Sequence, residues 1–193
     1  MTIDKSTPAK DQPQALAARI RARLDRPVVL VGMMGVGKST IGRKLGQILD
    51  LAFTDADEEI ERAAQMPISE IFERYGEAHF RDGERRVIAR LMDSGPSVIA
   101  TGGGAFVQPD TQSLILAKGL TIWLDCDVAT LVDRVTRKDT RPLLRGGDPG
   151  EIVARLKAER EPAYAKAAIH VQSDTGPHSE TVNRILLGID QCL

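Results

Sequence analysis

The chain is poor in aromatic residues, and its charges of opposite sign nearly cancel. Aromatic residues make up 4% of the 193 residues, which argues against stacking platforms for single-stranded nucleic acid. The 26 basic and 27 acidic residues balance, so no charged tail attracts nucleic acid or a membrane surface. No apolar run approaches the roughly 20 residues that a membrane span needs. The composition therefore predicts neither a nucleic-acid partner nor a membrane partner.

Cysteine is equally scarce, and Cys126 and Cys192 lie too far apart to form a metal-ligand spacing. Cys126 follows an apolar run, which is typical of a partly buried thiol and fits a reducing compartment. The N-terminal segment contains no apolar signal-peptide core. These features predict a cytoplasmic protein, and we expect it to act as a monomer.

The length of 193 residues suggests one folded domain, residues 27–193, after an N-terminal extension, residues 1–26. The extension is polar at first, and we interpret residues 1–13 as a disordered tail. Residues 15–24 could form a short helix with one apolar face. Two alternatives are open for this helix: it docks on the folded domain, or it has no structural role.

The most informative stretch is a phosphate-loop motif. Residues 32–39 match G-x-x-x-x-G-K-[ST] between an apolar run of strand type and a helical pattern. Gly35 and Gly37 can take backbone angles that let successive N–H groups point at one anion. Lys38 adds a positive charge for the β- and γ-phosphates, and the hydroxyl of Ser39 can hold Mg²⁺. A simple glycine-rich turn would explain the glycines but not Lys38 and Ser39.

Apolar runs alternate with helical patterns along the rest of the chain. Such alternation predicts right-handed crossovers and an α/β fold of three layers: a five-stranded parallel sheet with helices on both faces. With the phosphate loop on its first strand, this is a P-loop α/β domain. After the first strand at 28–31, the predicted strands are 51–55, 97–101, 120–124 and 168–171. The predicted helices are 38–49, a broken region at 57–93, 111–116, 128–136, 150–166 and 179–189.

Functional residues in such a sheet are expected at the carboxyl ends of the strands. The second strand ends in Asp55 and Asp57, whose side chains point the same way in extended backbone. One carboxylate could hold a Mg²⁺-bound water while the other orients a substrate hydroxyl. The alternative is an acidic first turn of a helix. The third strand ends in Gly102–Gly104, which suggests that a ligand approaches bare backbone there.

The broken helical region, residues 57–93, is the predicted substrate-binding region. Arg81 and Glu84 are three residues apart and could pair on one face of a helix. A guanidinium suits two-point recognition of a ligand carboxylate, so Arg81 is a candidate for that contact. We expect the other arginines of this region to lie on a solvated helix face.

Residues 137–150 are basic, contain glycine and proline, and lie between two helices. This composition is typical of a mobile lid that closes over phosphates. Arg141 and Arg145 could supply charge to the transferring phosphoryl group. The alternative is a surface loop whose arginines have no function.

The order and spacing of these motifs resemble those of the shikimate kinases, in the P-loop kinase group that includes the nucleoside monophosphate kinases. The resemblance runs from about residue 27 onward. It rests on the phosphate loop through Gly42, Asp55 and Asp57 with Ile60 and Glu61, Phe80 to Glu84, Gly102 to Gly104, Arg141 to Leu144, and Arg160 to Tyr164.

The resemblance implies transfer of a phosphoryl group from ATP to the 3-hydroxyl of shikimate, with Mg²⁺ as cofactor, in the biosynthesis of aromatic amino acids. By motif, the residues implied to hold the ATP phosphates are Gly35, Val36, Gly37, Lys38, Ser39 and Thr40. Ser39 would bind the metal directly, and Asp55 would reach it through water.

The remaining roles are also implied by the resemblance. Asp57 would bind the shikimate hydroxyls, while Arg81 and Arg160 would hold the carboxylate. The backbone of Gly103 would contact a ring hydroxyl. Arg141 would close with the lid onto the phosphates, and together with Lys38 and Asp57 it would be catalytic. Arg134 stands where the family has an adenine-stacking arginine, opposite a second wall at residues 174–177.

Two other kinds of function remain possible at this stage. A related small-molecule kinase, acting on gluconate or on a nucleoside monophosphate, would share the phosphate loop and paired arginines. The triple glycine and the spacing from Phe80 to Glu84 argue against it. A non-catalytic ATP-binding module would be expected to lack Lys38, Asp57 or Arg141, and all three are present.

Overall fold

A five-stranded sheet forms the centre of the protein, for which a computed structural model describes residues 12–136, 147–173 and 176–193. The strands are β1 (Val28–Val31), β2 (Phe53–Asp55), β3 (Val98–Ala100), β4 (Leu120–Asp125) and β5 (Ile169–Gln172). They run in the order β2-β3-β1-β4-β5, and every pair is parallel. The predicted five-stranded parallel sheet is confirmed.

Helices cover both faces of this sheet. They are α1 (Gln12–Arg23), α2 (Lys38–Leu49), α3 (Ala56–Ala64), α4 (Ile68–Met92), α5 (Pro109–Lys118), α6 (Val128–Thr136), α7 (Pro149–Tyr164) and α8 (His178–Cys192). Helices α1, α2 and α8 pack together on one face, while α4 and α5 meet on the other and α6 packs on α7. The predicted three-layer α/β architecture is therefore confirmed. None of the helices within the described ranges combines the length and hydrophobicity needed to cross a membrane.

The position of β1 determines where a ligand can bind. All four of its side chains are fully buried, as expected for a parallel strand covered on both faces. Its neighbours are β3 on one side and β4 on the other. The chain passes from β1 to β2 and β3 on one side and then crosses to β4 and β5 on the other, so the strand order reverses at β1. Such a switch point opens a crevice beyond the carboxyl end of the strand. The phosphate loop connects β1 to α2 at this crevice.

The helical region after β2 is broken, as predicted. The side chain of Asp55 caps α3 by accepting a hydrogen bond from the backbone N–H of Asp57. Helix α4 is interrupted at Gly76, whose φ of 79° is outside the helical range. Ile60, Ile71 and Phe80 form a small apolar cluster separate from the main core. This cluster joins α3 to α4 beside the crevice.

Helix α1 docks on the folded body, which decides between the two alternatives for the N-terminal extension. Its apolar stripe of Ala17, Ile20 and Leu24, the last just beyond the helix, is buried in the main core. Nε and Nη2 of Arg19 donate to the carboxylate of Asp190 on α8, at 2.8 and 2.6 Å.

One part of the tail prediction was wrong. The helix begins at Gln12, so the last two residues of the predicted disordered tail, 12 and 13, are helical. Proline is tolerated in the first turn because its missing N–H has no intrahelical acceptor there. The rest of that tail, residues 1–11, lies outside the described residues.

Candidate active site

A cleft of about 950 Å³ opens at the carboxyl ends of β1, β2 and β3. It brings together most of the residues that the sequence singled out. Those that line it are Gly35, Gly37, Lys38, Ser39, Thr40, Asp55, Asp57, Arg81, Gly102, Gly103, Gly104, Arg134 and Arg160. Arg141, Arg145 and the predicted lid up to residue 146 lie outside the described residues, as do positions 174 and 175 of the predicted adenine wall.

The phosphate loop has the backbone geometry that its glycines predict. Gly35 and Gly37 have φ angles of 81° and 101°, which favour glycine. Nζ of Lys38 donates to the carbonyls of Gly32 and Met33 at 2.8 and 2.9 Å. The loop therefore holds the Lys38 ammonium over its own backbone, next to the start of α2. A phosphate at this point would meet both that charge and the N-terminus of the helix.

Val36 is the one predicted loop residue whose side chain is directed into the core rather than the cleft, and it is fully buried. Its carbonyl accepts hydrogen bonds from Nη1 of Arg134 and from Oγ of Ser173, both at 3.3 Å. The group that Val36 can offer a ligand is its backbone N–H, which donates to the carbonyl of Met33 at 3.4 Å. The contact with Arg134 also ties α6 to the phosphate loop.

Ser39 and Asp55 form an oxygen-rich corner of the cleft. Oγ of Ser39 donates to Oδ2 of Asp55 at 2.5 Å, while Oδ1 of the same carboxylate caps α3. A hydroxyl and a carboxylate are ligands that Mg²⁺ accepts. In the described part of the chain, no group of three or more His, Cys, Asp or Glu residues could hold a metal. The corner fits Mg²⁺ held by few protein ligands and completed by phosphates, the usual arrangement for this ion.

Three charged side chains approach the three consecutive glycines after β3. A Cβ at Gly102 would lie 2.7 Å from Oδ1 of Asp57, and one at Gly104 would lie 2.5 Å from Nη2 of Arg81. Between them, a Cβ at Gly103 would lie 3.2 Å from Nη1 of Arg160. Because glycine has no side chain, these three positions leave room for the charged groups as well as for a ligand. This second reason for the triple glycine is not apparent from the sequence.

Arg81 is held in place by carboxylates. Its Nη1 donates to Glu84 at 2.7 Å, which confirms the predicted pairing, and its Nη2 donates to Glu77 at 3.2 Å. Burial favours the neutral form of the guanidinium, but Glu84 and Glu77 outweigh it and raise the pKa of Arg81. Glu84 is only 1% exposed, and this burial raises the pKa of its carboxyl despite the opposing effect of Arg81. The guanidinium is consequently a fixed positive charge at the cleft wall.

Arg160 and Tyr164 lie one turn apart on α7 and both reach Gly103. Nη1 of Arg160 is buried and has no hydrogen-bond partner among the described residues. An unpaired buried donor of this kind is costly and points to a missing acceptor. The hydroxyl of Tyr164 donates to the carbonyl of Gly103. Burial raises the pKa of Tyr164 to about 12, so the hydroxyl remains a donor at neutral pH.

The opposite end of the cleft contains Arg134 and a residue that the sequence interpretation missed, His178. The available signal was its position: His178 follows the fifth strand closely, at a carboxyl end where ligand-binding residues gather. The other lining residues to which the sequence interpretation gave no role at the site are Met34, Glu61, Pro67, Ile68, Ser69 and Thr101.

Comparison with known proteins decides the family. The shikimate kinase family model matches residues 34–190, which is most of the chain. The chain belongs to the shikimate kinase family. A shikimate kinase of Novosphingobium aromaticivorans is 62% identical over 179 residues, which cover 91% of this chain and 93% of that protein.

Solved structures agree with this membership of the shikimate kinase family. A shikimate kinase from Acinetobacter baumannii in complex with shikimate has a TM-score of 0.83 and 34% identity, covering 86% of this chain and 94% of that one. A gluconokinase from Sinorhizobium meliloti has a TM-score of 0.58 at 16% identity, covering 86% and 92%. At that identity the likeness to the gluconokinase shows a common fold. It carries no information about the substrate of the present chain.

Proposed function

We propose that this protein transfers the γ-phosphoryl group of ATP to the 3-hydroxyl of shikimate, giving shikimate 3-phosphate and ADP. The observation that carries the proposal is the placement of two guanidiniums, Arg81 and Arg160, against consecutive glycines across the cleft from a phosphate loop. Shikimate carries one carboxylate and several ring hydroxyls. Family membership and the shikimate complex of the Acinetobacter protein support the same substrate.

The carboxylate of the substrate is assigned to the two arginines. Arg81 is held by Glu84 and Glu77 and lines the cleft beside Gly104. Arg160 contributes the buried Nη1 that lacks a partner among the described residues. A carboxylate would satisfy this donor and could accept a two-point contact from a planar guanidinium. The backbone of Gly103 is assigned to a ring hydroxyl.

Asp57 is assigned to the reacting hydroxyl. Its carboxylate stands at the start of α3, next to Gly102, in the cleft that the arginines and the phosphate loop also line. There it accepts a hydrogen bond from the 3-hydroxyl and orients that oxygen in line with the γ-phosphorus. The new bond forms between this oxygen and phosphorus, the bond to the ADP oxygen breaks, and the hydroxyl proton leaves toward Asp57. Positioning of this kind is the main demand of phosphoryl transfer.

The nucleotide end of the site is assigned to the phosphate loop. The backbone from Gly35 to Thr40 and the ammonium of Lys38 would hold the ATP phosphates, and Arg134 would stack on the adenine. Arg141 would close over the γ-phosphate. Ser39 would bind Mg²⁺ and Asp55 would hold a water on it, with the two oxygens already 2.5 Å apart. When bound, Mg²⁺ neutralises charge that develops on the phosphates.

A panel of acceptors tests the proposed substrate. ADP release is measured with shikimate, quinate, gluconate and nucleoside monophosphates at equal concentrations, with ATP and Mg²⁺ present. We expect turnover with shikimate and little with the others. Turnover with gluconate but not shikimate would overturn the assignment, and ADP release independent of every acceptor would favour a nucleotide-binding module with a weak hydrolysis activity.

We also propose that the enzyme works as a cytoplasmic monomer, without nucleic-acid or membrane partners. The free thiols of Cys126, which is buried, and Cys192, which is exposed, support a reducing compartment. Light scattering coupled to size-exclusion chromatography should give a mass near 21.0 kDa. A mass of twice that value at micromolar concentration would contradict the monomer.

A further inference from the structure

His178 closes the nucleotide end of the cleft. It is the first residue of α8, and its side chain lines the cleft together with Gly37 and Arg134. A Cβ at Gly37 would lie 3.8 Å from Cε1 of His178, so the imidazole rests against the bare backbone where α2 begins. The ring is therefore adjacent to the loop that would hold the phosphates.

The imidazole of His178 lies in a positive environment. The ionisable groups that act on it within the described ranges are Lys44 of α2 and Arg134 of α6, and both are cations. Burial lowers the pKa of His178, and these two cations lower it further. The N-terminal end of α8 adds positive potential at the same point. The ring is consequently expected to be neutral in the free protein at neutral pH.

A nucleoside di- or triphosphate would reverse this balance, because it brings several negative charges to the phosphate loop. Those charges offset Lys44 and Arg134 and favour the imidazolium, which can donate a hydrogen bond from each ring nitrogen. We propose that His178 binds the nucleotide and becomes more protonated, by proton uptake from solvent, as the nucleotide enters the cleft. The inference rests on the proposed function only in placing nucleotide phosphates at the phosphate loop.

Proton magnetic resonance of the imidazole groups tests the proposal directly. The chain contains three histidines, and the imidazole signal of His178 is the one that is missing from the spectrum of His178→Gln. Saturation of the wild-type protein with ADP and Mg²⁺ should raise the pKa of this imidazole by about one unit, which corresponds to about tenfold tighter binding to the protonated form. A pKa that stays constant or falls would overturn the proposal.

Calorimetry provides a second, independent measurement. Binding of ADP in two buffers with different ionisation heats gives the number of protons taken up. The wild-type protein should take up more protons than His178→Gln, and its affinity for ADP should fall more steeply between pH 6 and pH 8. Protonation of the ADP phosphates is common to both proteins and cancels. His79→Gln is the matched control, because His79 is exposed and contacts Tyr75. It should behave as the wild type.

The outcomes separate this proposal from the proposed function. Equal proton uptake by the wild-type protein and His178→Gln, in an enzyme that phosphorylates shikimate, would contradict the role of His178 alone. Nucleotide-coupled protonation in a protein that does not phosphorylate shikimate would leave His178 as a nucleotide-binding residue and contradict the acceptor assignment.

Discussion

A Cβ atom at Gly104 would lie 2.5 Å from Nη2 and 2.9 Å from Nη1 of Arg81. The backbone after β3 and the guanidinium are thus in mutual contact, and neither can be enlarged without moving the other. Nη1 is also engaged by Glu84, whose own burial leaves it little room to follow. The position of the proposed carboxylate-binding group therefore depends on a glycine that is remote from it in sequence.

The variant Gly104→Ala should displace Arg81 and weaken substrate binding. We expect the KM for shikimate to rise about tenfold or more, equivalent to about 1.4 kcal/mol, with a smaller change in kcat. The matched control is Gly83→Ala, because a Cβ at Gly83 meets no heavy atom within 4 Å on the surface of α4. That variant should keep its KM and gain about 0.5–1 kcal/mol of stability, since alanine favours the helix. Unchanged shikimate binding in Gly104→Ala would contradict the role of Arg81.

Asp57→Asn should lower kcat by about 10²- to 10⁴-fold, because the amide cannot accept the hydroxyl proton and orients the hydroxyl less strongly. Steady-state kinetics with saturating shikimate and ATP measure the change. Asp110→Asn, on the first turn of α5 and away from the cleft, is the control and should retain full activity. An Asp57→Asn enzyme with near-normal kcat would remove Asp57 from the mechanism.

Ser39→Ala removes one of the two oxygens assigned to Mg²⁺. The concentration of Mg²⁺ at half-maximal rate should rise about tenfold or more, as is typical when the surroundings of a metal are altered. A titration with Mg²⁺ at fixed ATP measures this directly. Ser113→Ala is the comparison, since the hydroxyl of Ser113 donates to the carbonyl of Pro109 in its own helix, on an exposed surface. Equal Mg²⁺ requirements in the two variants would contradict the metal assignment.

Tyr164→Phe should reveal the ionisation of Tyr164 through its effect on stability. The variant leaves the carbonyl of Gly103 without its donor, which costs about 1–3 kcal/mol at pH 9. The pKa of the tyrosine is raised from 10.0 to about 12 by folding. Between these values the unfolded chain loses the proton and the folded protein keeps it, so wild-type stability falls as pH rises. Tyr164→Phe has no hydroxyl to ionise at this position, so its stability does not fall for this reason.

The stability difference between the wild type and Tyr164→Phe should therefore narrow by about 2–3 kcal/mol between pH 9.5 and pH 12. Urea unfolding at a series of pH values measures it. Tyr75→Phe is the control, because it removes the hydroxyl of a tyrosine that is 52% exposed. A difference for Tyr164→Phe that stays constant with pH would show that its hydroxyl is not buried against Gly103.

Ile20→Ala tests whether α1 is part of the core. Ile20 is fully buried, so its truncation should lower the free energy of unfolding by about 2–5 kcal/mol. The matched control, Leu187→Ala, removes a side chain of similar size that is 54% exposed on α8 and should have a much smaller effect. Similar losses in the two variants, measured by urea unfolding, would indicate that α1 does not stay docked.

The parts of the fold that the sequence predicted best are those determined by local pattern. β1 and α2 begin and end where the apolar run and the helical periodicity place them. The start of α5 was placed two residues late, because Pro109 was not recognised as a first-turn residue. The sequence does contain a signal for this helix start, since proline is common at the first position of a helix.

Contacts between distant segments were harder to predict. The apolar face of α1 was visible, but its partners on α2 and α8 could be identified only from the folded chain. The same holds for Tyr164, whose donor role depends on Gly103, 61 residues away. His178 has no partner nearby in sequence, so its position at the cleft was not predicted. Local periodicity describes which face of an element is apolar, not which surface will cover it.

The ion pair between Arg19 and Asp190 joins residues 171 positions apart, almost at opposite ends of the described chain. During synthesis, α1 leaves the ribosome well before α8 exists. Its apolar stripe stays uncovered during that time, because the surface that covers Ile20 includes α8. Contacts of such long range close late and slow folding. Completion of the core is thereby coupled to synthesis of α8, and a chain arrested before α8 would leave the stripe of α1 exposed to chaperones and proteases.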